Sequence, residues 1–426
     1  MSPTLIPRDL ALLRASESTD SVSGFASDSD AVLAESAASS DKHAPLPAEA
    51  REQAQRQSLE MHRLFNQGLH NEAFKAGRHA LALWHALQEH SMSCEVLRLL
   101  SSSCIEHEQG VEALALARHA LRLARARVLP VALVQSLALL GVLHGRLHDV
   151  GVGETLVMQA LSRARVQHNR PVLMQTLDAL MCVLLEAHEV QRLAGDSASM
   201  QATAQRLQRH ANHALSQSGS MPDNFVDLQL RVHAAAALVA CGQPAVALPV
   251  LTECTELARQ AGYRGASLWA RLYGAQASML MDNDNAALAA VQMLTPMLSA
   301  DEPPRLRLAS LGLQALLAER AGAQERADEH RFAAHTLRDL LLRQRFKLRA
   351  TLRRNAEDVM QNLATVDRDW QGRGLPPHTV VDPAPIAASD VLAPPTPDAG
   401  HTPGVASAAA TFTTLVPTPD AKPGVA

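Results

Sequence analysis

Apolar positions follow a helical spacing through most of this chain. Between about residues 51 and 371 they recur at i, i+3, i+4 and i+7, which places them on one face of an α-helix. Brief loop-forming stretches interrupt the pattern, among them Gly68, residues 151–153 and residues 242–244. They divide this region into helices of about 12 to 20 residues joined by short turns. The pattern predicts an all-α fold built from consecutive helical hairpins.

The hairpins recur with a fixed period. An Ala-Leu pair stands at residues 80–81, 120–121 and 160–161, so the period is 40 residues. A Glu-Ala pair at 72–73 returns at 112–113, again after 40 residues. A period of this size is typical of a solenoid, in which a helical pair cannot bury its own apolar face and stacks on the next pair. The repeat therefore predicts an α-solenoid.

The units resemble tetratricopeptide repeats (TPRs), in which small residues let the two helices of a hairpin approach closely. The clearest unit places Leu137, Leu140 and Gly141 in a first helix and Ala160 in the second. The resemblance implies a right-handed superhelical α-solenoid of about seven TPR-like hairpins. The small residues expected at the helix contacts are Ala73, Ala80, Ala113, Ala120, Gly141, Ala160, Ala247, Ala327 and Ala334.

The chain departs from the TPR pattern in three ways. Its period exceeds the usual length of about 34 residues. Gly153 and Leu207 stand where alanines are expected. Between the third and fourth units the Ala-Leu spacing is 54 residues, so about 14 extra residues are expected within 191–204, as a loop or a lengthened helix.

Composition separates two tails from the helical body. Residues 1–50 are rich in Ser, Ala and Asp without sustained periodicity, and residues 372–426 contain eleven prolines. Both tails are predicted to be disordered, because neither can bury enough apolar surface to offset the entropy of ordering. The predicted divisions are a tail over 1–50, a TPR-like solenoid over 51–336, a long basic helix over 337–371 and a second tail over 372–426.

The basic helix gives the chain a second resemblance. Residues 327–354 resemble the exit helix of bacterial signalling proteins, in which a TPR sensor region leads into an output domain. The chain contains no Gly-Gly pair, and hence no GGDEF motif. Between 338 and 354, seven basic residues face a single acid, Asp339, and leucines recur at a spacing of eleven. Three roles are open: docking on the last repeat, homodimerisation through 337–371, or binding an acidic or nucleic-acid partner.

Charge and cysteine content narrow the classes of function. The formal net charge is −4, so general attraction to nucleic acid or an anionic membrane is not expected. No apolar run is long enough for a membrane span, and Arg8 and Asp9 interrupt the start where a signal peptide would be apolar. Five cysteines without CxxC spacing indicate a reducing compartment. We therefore expect a cytoplasmic protein.

Catalytic and metal-binding patterns are weak. His144 and His148 lie at i, i+4, and His210 and His213 at i, i+3, but neither pair has the glutamate of HExxH or a cysteine nearby in sequence. No Gly-rich phosphate loop or nucleophile motif appears. We predict no enzyme activity, no metal and no cofactor.

A TPR-like solenoid offers its concave groove for binding. Mapping the groove positions of TPRs onto this chain selects Glu95, Arg98, Gln135, Arg146, Asp178, Glu186, Val232, Val239 and Arg271. The predicted function is a non-catalytic scaffold or adaptor that binds a peptide or protein partner in this groove. The alternative is a signalling regulator in which a groove ligand acts through the basic helix on a dimer or on a separate output enzyme.

Overall fold

The computed structural model describes residues 47–147, 149–218, 225–298 and 302–371. The side chains of residues 47, 347, 349–353 and 355–371 lie outside this description. The predicted tail over 372–426 also lies outside it, as does the tail over 1–50 except for residues 47–50, which are helical. Within the described residues the chain forms α-helices and a single short 3-10 helix, and no strand. The predicted all-α class is confirmed at this level.

Fourteen α-helices follow one another in the described parts of the chain. They are α1 (Pro47–Asn66), α2 (His70–Ala86), α3 (His90–Glu106), α4 (Gly110–Ala126), α5 (Pro130–Arg146), α6 (Val150–Val166), α7 (Arg170–Ala194), α8 (Ser197–Gln217), α9 (Phe225–Ala240), α10 (Pro244–Ala261), α11 (Arg264–Leu280), α12 (Asp284–Leu294), α13 (Pro304–Arg320) and α14 (Gln324–Gln371). The 3-10 helix (Thr295–Met297) extends α12.

The 40-residue period comes from helices that begin every 20 residues. Helices α2 to α7 begin at residues 70, 90, 110, 130, 150 and 170, and α11 to α14 begin at 264, 284, 304 and 324. Each complete 20-residue step in the first series is a 17-residue helix and a three-residue loop. A left-handed residue ends the helix in several of these loops, such as Val128 with φ of 54°. The next N–H then bonds back to the helix, from Leu129 to the Ala124 carbonyl at 2.8 Å.

The structure corrects one predicted loop and explains the extra residues. Residues 151–153, expected to form a break, lie inside α6, which begins at Val150. Most of the 14 extra residues lengthen helices: α7 has 25 residues and α8 has 21, where the regular helices have 17. The extra residues expected within 191–204, as a loop or a lengthened helix, therefore mainly lengthen helices.

Each helix packs against the next along the chain, and each odd-numbered helix also packs against the next odd-numbered one, from α1 through α13. A continuous apolar core runs from α3 to α11 between these layers. None of the described helices is both long and apolar enough to cross a membrane. This packing places the odd-numbered helices side by side, so their remaining faces can line a common surface.

Small residues allow a close contact between the backbones of α5 and α6. A Cβ atom added at Gly153 would lie 2.6 Å from the Gly141 carbonyl oxygen, and one added at Gly141 would lie 2.7 Å from the Gly153 carbonyl oxygen. The backbones therefore touch without room for a methyl group. All nine predicted small residues at helix contacts are buried, namely Ala73, Ala80, Ala113, Ala120, Gly141, Ala160, Ala247, Ala327 and Ala334.

Helix α14 is longer than the basic helix predicted over 337–371. It begins at Gln324, so the second helix of the last hairpin and the basic helix form one 48-residue helix. Its residues Leu337, Leu341 and Leu348 are buried. Leu348 packs beside Gly110 at the start of α4 and joins the central core. The helix therefore also docks beyond the last hairpin, whereas the docking role considered among the three alternatives placed it on the last repeat only.

Candidate functional site: a central cavity lined by the odd-numbered helices

All seven odd-numbered helices contribute to one cavity of about 150 Å³. Its walls include the end of α1, the ends of α3 and α5, the middle of α7 and the first halves of α9, α11 and α13. Phe65 of α1 meets Phe225 of α9, with ring centroids 6.4 Å apart. Residues far apart in sequence therefore border the same space. We call it the central cavity.

One repeat position supplies four of its wall residues. Asn66, Glu106, Arg146 and Glu186 are spaced by 40 residues and all line the central cavity. Because α1, α3, α5 and α7 follow one another in packing order, equivalent positions in successive units come together. The periodicity of the sequence thus has a direct counterpart in the wall of the cavity.

Ion pairs join the helices around the cavity. Arg146 Nη1 donates to Glu106 Oε1 at 2.7 Å. Arg305 of α13 donates through both Nη atoms to the Glu186 carboxylate, with Nη2 2.7 Å from Oε2. Its Nε lies 3.3 Å from Glu108 Oε1, and Nη2 of Arg345 on α14 lies 4.0 Å from Glu108 Oε2. Three carboxylates and three guanidinium groups therefore balance in charge.

Burial raises the pKa values of these carboxylates, and nearby arginines lower them. Burial alone would raise the pKa of Glu186, but the bidentate contact with Arg305 lowers it below its ordinary value. The same balance between burial and Arg146 lowers the pKa of Glu106. Burial raises the pKa of Glu108, because Arg305 and Arg345 oppose it only in part. Among the three carboxylates, the burial of Glu108 is therefore the least compensated by neighbouring positive charges.

The rare aromatic residues concentrate at this site. The chain has twelve Phe, Trp and Tyr residues, and four of them line the central cavity: Phe65, Phe225, Trp269 and Tyr273. Trp269 and Tyr273 stack at 5.4 Å, and Phe65 makes edge contacts with both Phe225 and His70. Burial raises the pKa of Tyr273, which keeps its hydroxyl neutral. The cavity therefore offers a ligand more aromatic surface than the low aromatic content of the whole chain suggests.

A cysteine, a histidine and an aspartate meet on one wall. Asp178 and Cys182 lie one turn apart on α7, and His233 projects from α9. His233 Nδ1 is 2.6 Å from Asp178 Oδ1 and 3.4 Å from Cys182 Sγ. Burial opposes a charge on His233, yet Cys182 and Asp178 raise its pKa well above the ordinary value. Cys182 and His233 face the central cavity.

Three of the predicted groove residues, Arg146, Glu186 and Val232, line the central cavity. Asp178 lies beside it, bonded to His233. Val239 is buried in the apolar core, at 2% exposure.

The other predicted groove residues lie outside the cavity wall. Glu95 is paired with His62 at 2.9 Å, and Gln135 donates to the Gln175 side chain at 2.8 Å. Arg98 and Arg271 are partly buried, on α3 and α11. The Gln135–Gln175 bond again joins positions 40 residues apart.

Among the described residues, no group of three possible metal ligands includes His144, His210 or His213. His144 is fully buried and lies 3.1 Å from Asp149 Oδ2, while His148 lies outside the described residues. Burial and neighbouring arginines lower the pKa of His210 to about 4, so this imidazole is neutral near pH 7. Within the described residues, Asp178, Cys182 and His233 are the group of three whose donor atoms could share an ion.

Sequence reasoning missed Glu106, Arg305 and His233 as wall residues. The 40-residue spacing to Arg146 could have found Glu106. His233 follows the lengthened helices, which break the register, and Arg305 reaches Glu186 from 119 residues away.

The chain was also compared with protein-family models and with curated proteins, and neither comparison gave a match.

Proposed function

We propose that this protein is a non-catalytic interaction protein: a right-handed TPR-like solenoid of seven hairpins that binds a peptide or protein partner through the concave side formed by its odd-numbered helices. The main support is the convergence of those seven helices on one cavity that holds both aromatic and paired charged side chains. A binding site commonly combines an apolar surface with a few polar groups of this kind.

The size of the cavity defines how the partner binds. A space of about 150 Å³ is large enough for one side chain of a partner. We therefore propose that one residue of the partner enters the central cavity as an anchor, while neighbouring residues contact the rim. Such a buried anchor surrounded by peripheral contacts is the common arrangement at protein interfaces.

A cavity-filling substitution tests this proposal. Gly265 lines the central cavity, and a Cβ atom added there meets nothing within 4 Å. Gly265→Leu should therefore occupy the space without disturbing the fold. Gly312→Leu is the matched control, because Gly312 has equal room for a side chain on α13 and does not line the cavity.

Peptides selected from a random library on the full chain provide the ligand for this test. We expect the selected peptides to bind Gly265→Leu at least about tenfold more weakly than the wild type, since filling the pocket removes the anchor site. Their binding to Gly312→Leu should be unchanged. Failure to enrich any peptide, or equal binding to both variants, would contradict the proposal.

A second candidate function is that of a signalling regulator whose ligand acts through α14. Its support is the position of Glu108, which contacts Arg305 of the cavity wall and Arg345 of α14. A ligand that engages Arg305 would alter the charge that α14 meets at this point. Hydrogen exchange along α14 should then change when a selected peptide binds, and sedimentation of the full chain should reveal any accompanying dimer. Unchanged exchange and an unchanged mass would contradict this candidate.

A further inference from the structure

The cluster of Asp178, Cys182 and His233 has the composition of a metal site. Its carboxylate, thiol and imidazole donors lie within 4.8 Å of one another. Thiolate, imidazole and carboxylate are the ligands that Zn²⁺ uses in proteins. All five cysteines are free, so Cys182 is available as a thiolate ligand.

A tetrahedral ion requires small movements of the side chains in this cluster. With Zn–S near 2.3 Å and Zn–N near 2.0 Å, a tetrahedral angle places sulfur and nitrogen about 3.5 Å apart. Cys182 Sγ lies 3.4 Å from Nδ1 and 3.8 Å from Nε2 of His233, so the separation of sulfur and nitrogen is close to this value. Because the two distances are nearly equal, the sulfur lies off the lone-pair direction of both nitrogens, and the imidazole must rotate for one nitrogen to share an ion with Cys182. The Asp178–His233 contact of 2.6 Å is a hydrogen bond and must open to about 3.3 Å, as the ion takes the place of the shared proton.

The charges of the cluster also suit a divalent ion. An aspartate and a thiolate together carry two negative charges, so a bound Zn²⁺ leaves the partly buried group electrically neutral. The nearby positive charge of Arg146 is already paired with Glu106. The two ligands on α7 are one turn apart, and the third projects from α9, which packs directly on α7. An ion would therefore join two neighbouring odd-numbered helices.

We propose that Asp178, Cys182 and His233 bind one Zn²⁺ ion, with its fourth coordination position open to the central cavity. Cys182 and His233 both line that cavity, so the open position faces it. A water molecule or a donor atom of a cavity ligand can occupy it. The ion needs no partner to bind, so the test of this site does not depend on the proposed peptide binding.

Cobalt titration of the full chain tests the site. The protein is first treated with a chelator and a reductant and is then titrated with Co²⁺ without oxygen. We expect saturation at one equivalent, with visible bands of a tetrahedral ion and a near-ultraviolet thiolate-to-cobalt charge-transfer band. One equivalent of Zn²⁺ should remove both signals. No saturation at one equivalent, or octahedral bands without charge transfer, would overturn the proposal.

Two variants and one control assign the signals to residues. Cys182→Ala should abolish the charge-transfer band, and His233→Gln should weaken Co²⁺ binding at least about tenfold. Cys241→Ala is the control, because Cys241 is also a partly buried free cysteine and donates instead to the Ala204 carbonyl. It should keep the band. A band that survives in Cys182→Ala, or is lost only in Cys241→Ala, would overturn the assignment.

A stability measurement covers the case in which a variant folds poorly. Zn²⁺ that binds only the folded state raises the unfolding temperature of the wild type, by an amount that grows with its free concentration. We expect this rise in the wild type and in Cys241→Ala. Absence of the rise in the wild type would overturn the proposal whatever the variants do.

Discussion

The contact between α5 and α6 makes a sharp prediction about two glycines of α6. Gly153 is pressed against the backbone of α5, where an added Cβ would lie 2.6 Å from the Gly141 oxygen and 2.8 Å from the Gly145 nitrogen. Gly151, two residues earlier, is exposed, and an added Cβ there meets nothing within 4 Å. The same substitution to alanine should therefore have opposite effects at the two positions.

The expected magnitudes follow from these contacts. Alanine at a compatible glycine position stabilises a protein by roughly 0.4–1 kcal/mol, because it reduces the conformational freedom of the unfolded chain. Gly151→Ala should show this gain. In Gly153→Ala the methyl group meets backbone atoms that cannot rotate away, so the two helices must separate by most of an ångström. Such overpacking lowers the free energy of unfolding by about 1–3 kcal/mol, so Gly153→Ala should be less stable than the wild type.

Equilibrium unfolding in urea, followed by far-UV circular dichroism, measures both effects. The midpoint of Gly151→Ala should lie above that of the wild type, and the midpoint of Gly153→Ala below it. Hydrogen exchange should locate the loss in α5 and α6, where the contact is. If Gly153→Ala proves as stable as Gly151→Ala, the close approach of the two backbones is wrong, and with it the physical reason for glycine at this position.

Three further predictions concern the residues that join distant helices. Arg305→Leu leaves the buried carboxylates of Glu186 and Glu108 without their shared partner and should cost about 3–5 kcal/mol by urea unfolding; a loss below about 1 kcal/mol would contradict the network. The pKa of Glu186 is lowered in the folded state, so its contribution to stability is complete above the unfolded pKa of about 4.3 and is lost as the pH falls through the folded pKa. The stability advantage of the wild type over Glu186→Gln should therefore shrink below about pH 4.3. A difference that stays constant with pH would refute this prediction. Leu348→Ala should lower stability by roughly 2 kcal/mol or more, whereas Leu342→Ala on the exposed side of α14 should stay within about 0.5 kcal/mol, and equal effects would show that α14 does not dock through Leu348.

Much of the helical architecture could be predicted from the sequence because it depends on local information. The spacing of apolar residues identifies helices, and the Ala-Leu pairs at 80, 120 and 160 give the period that the helix starts obey. The loops were harder to place from residue type. Val128 and His168 adopt left-handed conformations that sequence rules assign to glycine, while Gly151 and Gly153 are helical. Tertiary packing decides those positions.

The central cavity could be predicted only in part, because it depends on how the helical array curves. Arg146 and Glu186 were selected from equivalent positions in the repeat, and both line the cavity. Contacts such as Phe65 with Phe225 depend on small rotations between successive helices, which add up over several units. The 40-residue period does not determine those rotations. Residues in α9 and α13 therefore could not be assigned to the same cavity from sequence alone.

Differences among the repeats matter more to this cavity than their similarity. The position occupied by Asn66, Glu106, Arg146 and Glu186 faces the same space in four successive units. A strictly identical repeat with glutamate there would place several carboxylates around one partly buried cavity, where like charges destabilise one another. The change from Glu106 to Arg146 to Glu186 instead allows pairs to form, and Arg305 supplies the next positive charge from a distant helix. A search that averages the units into one consensus therefore discards the variation that lets these helices converge.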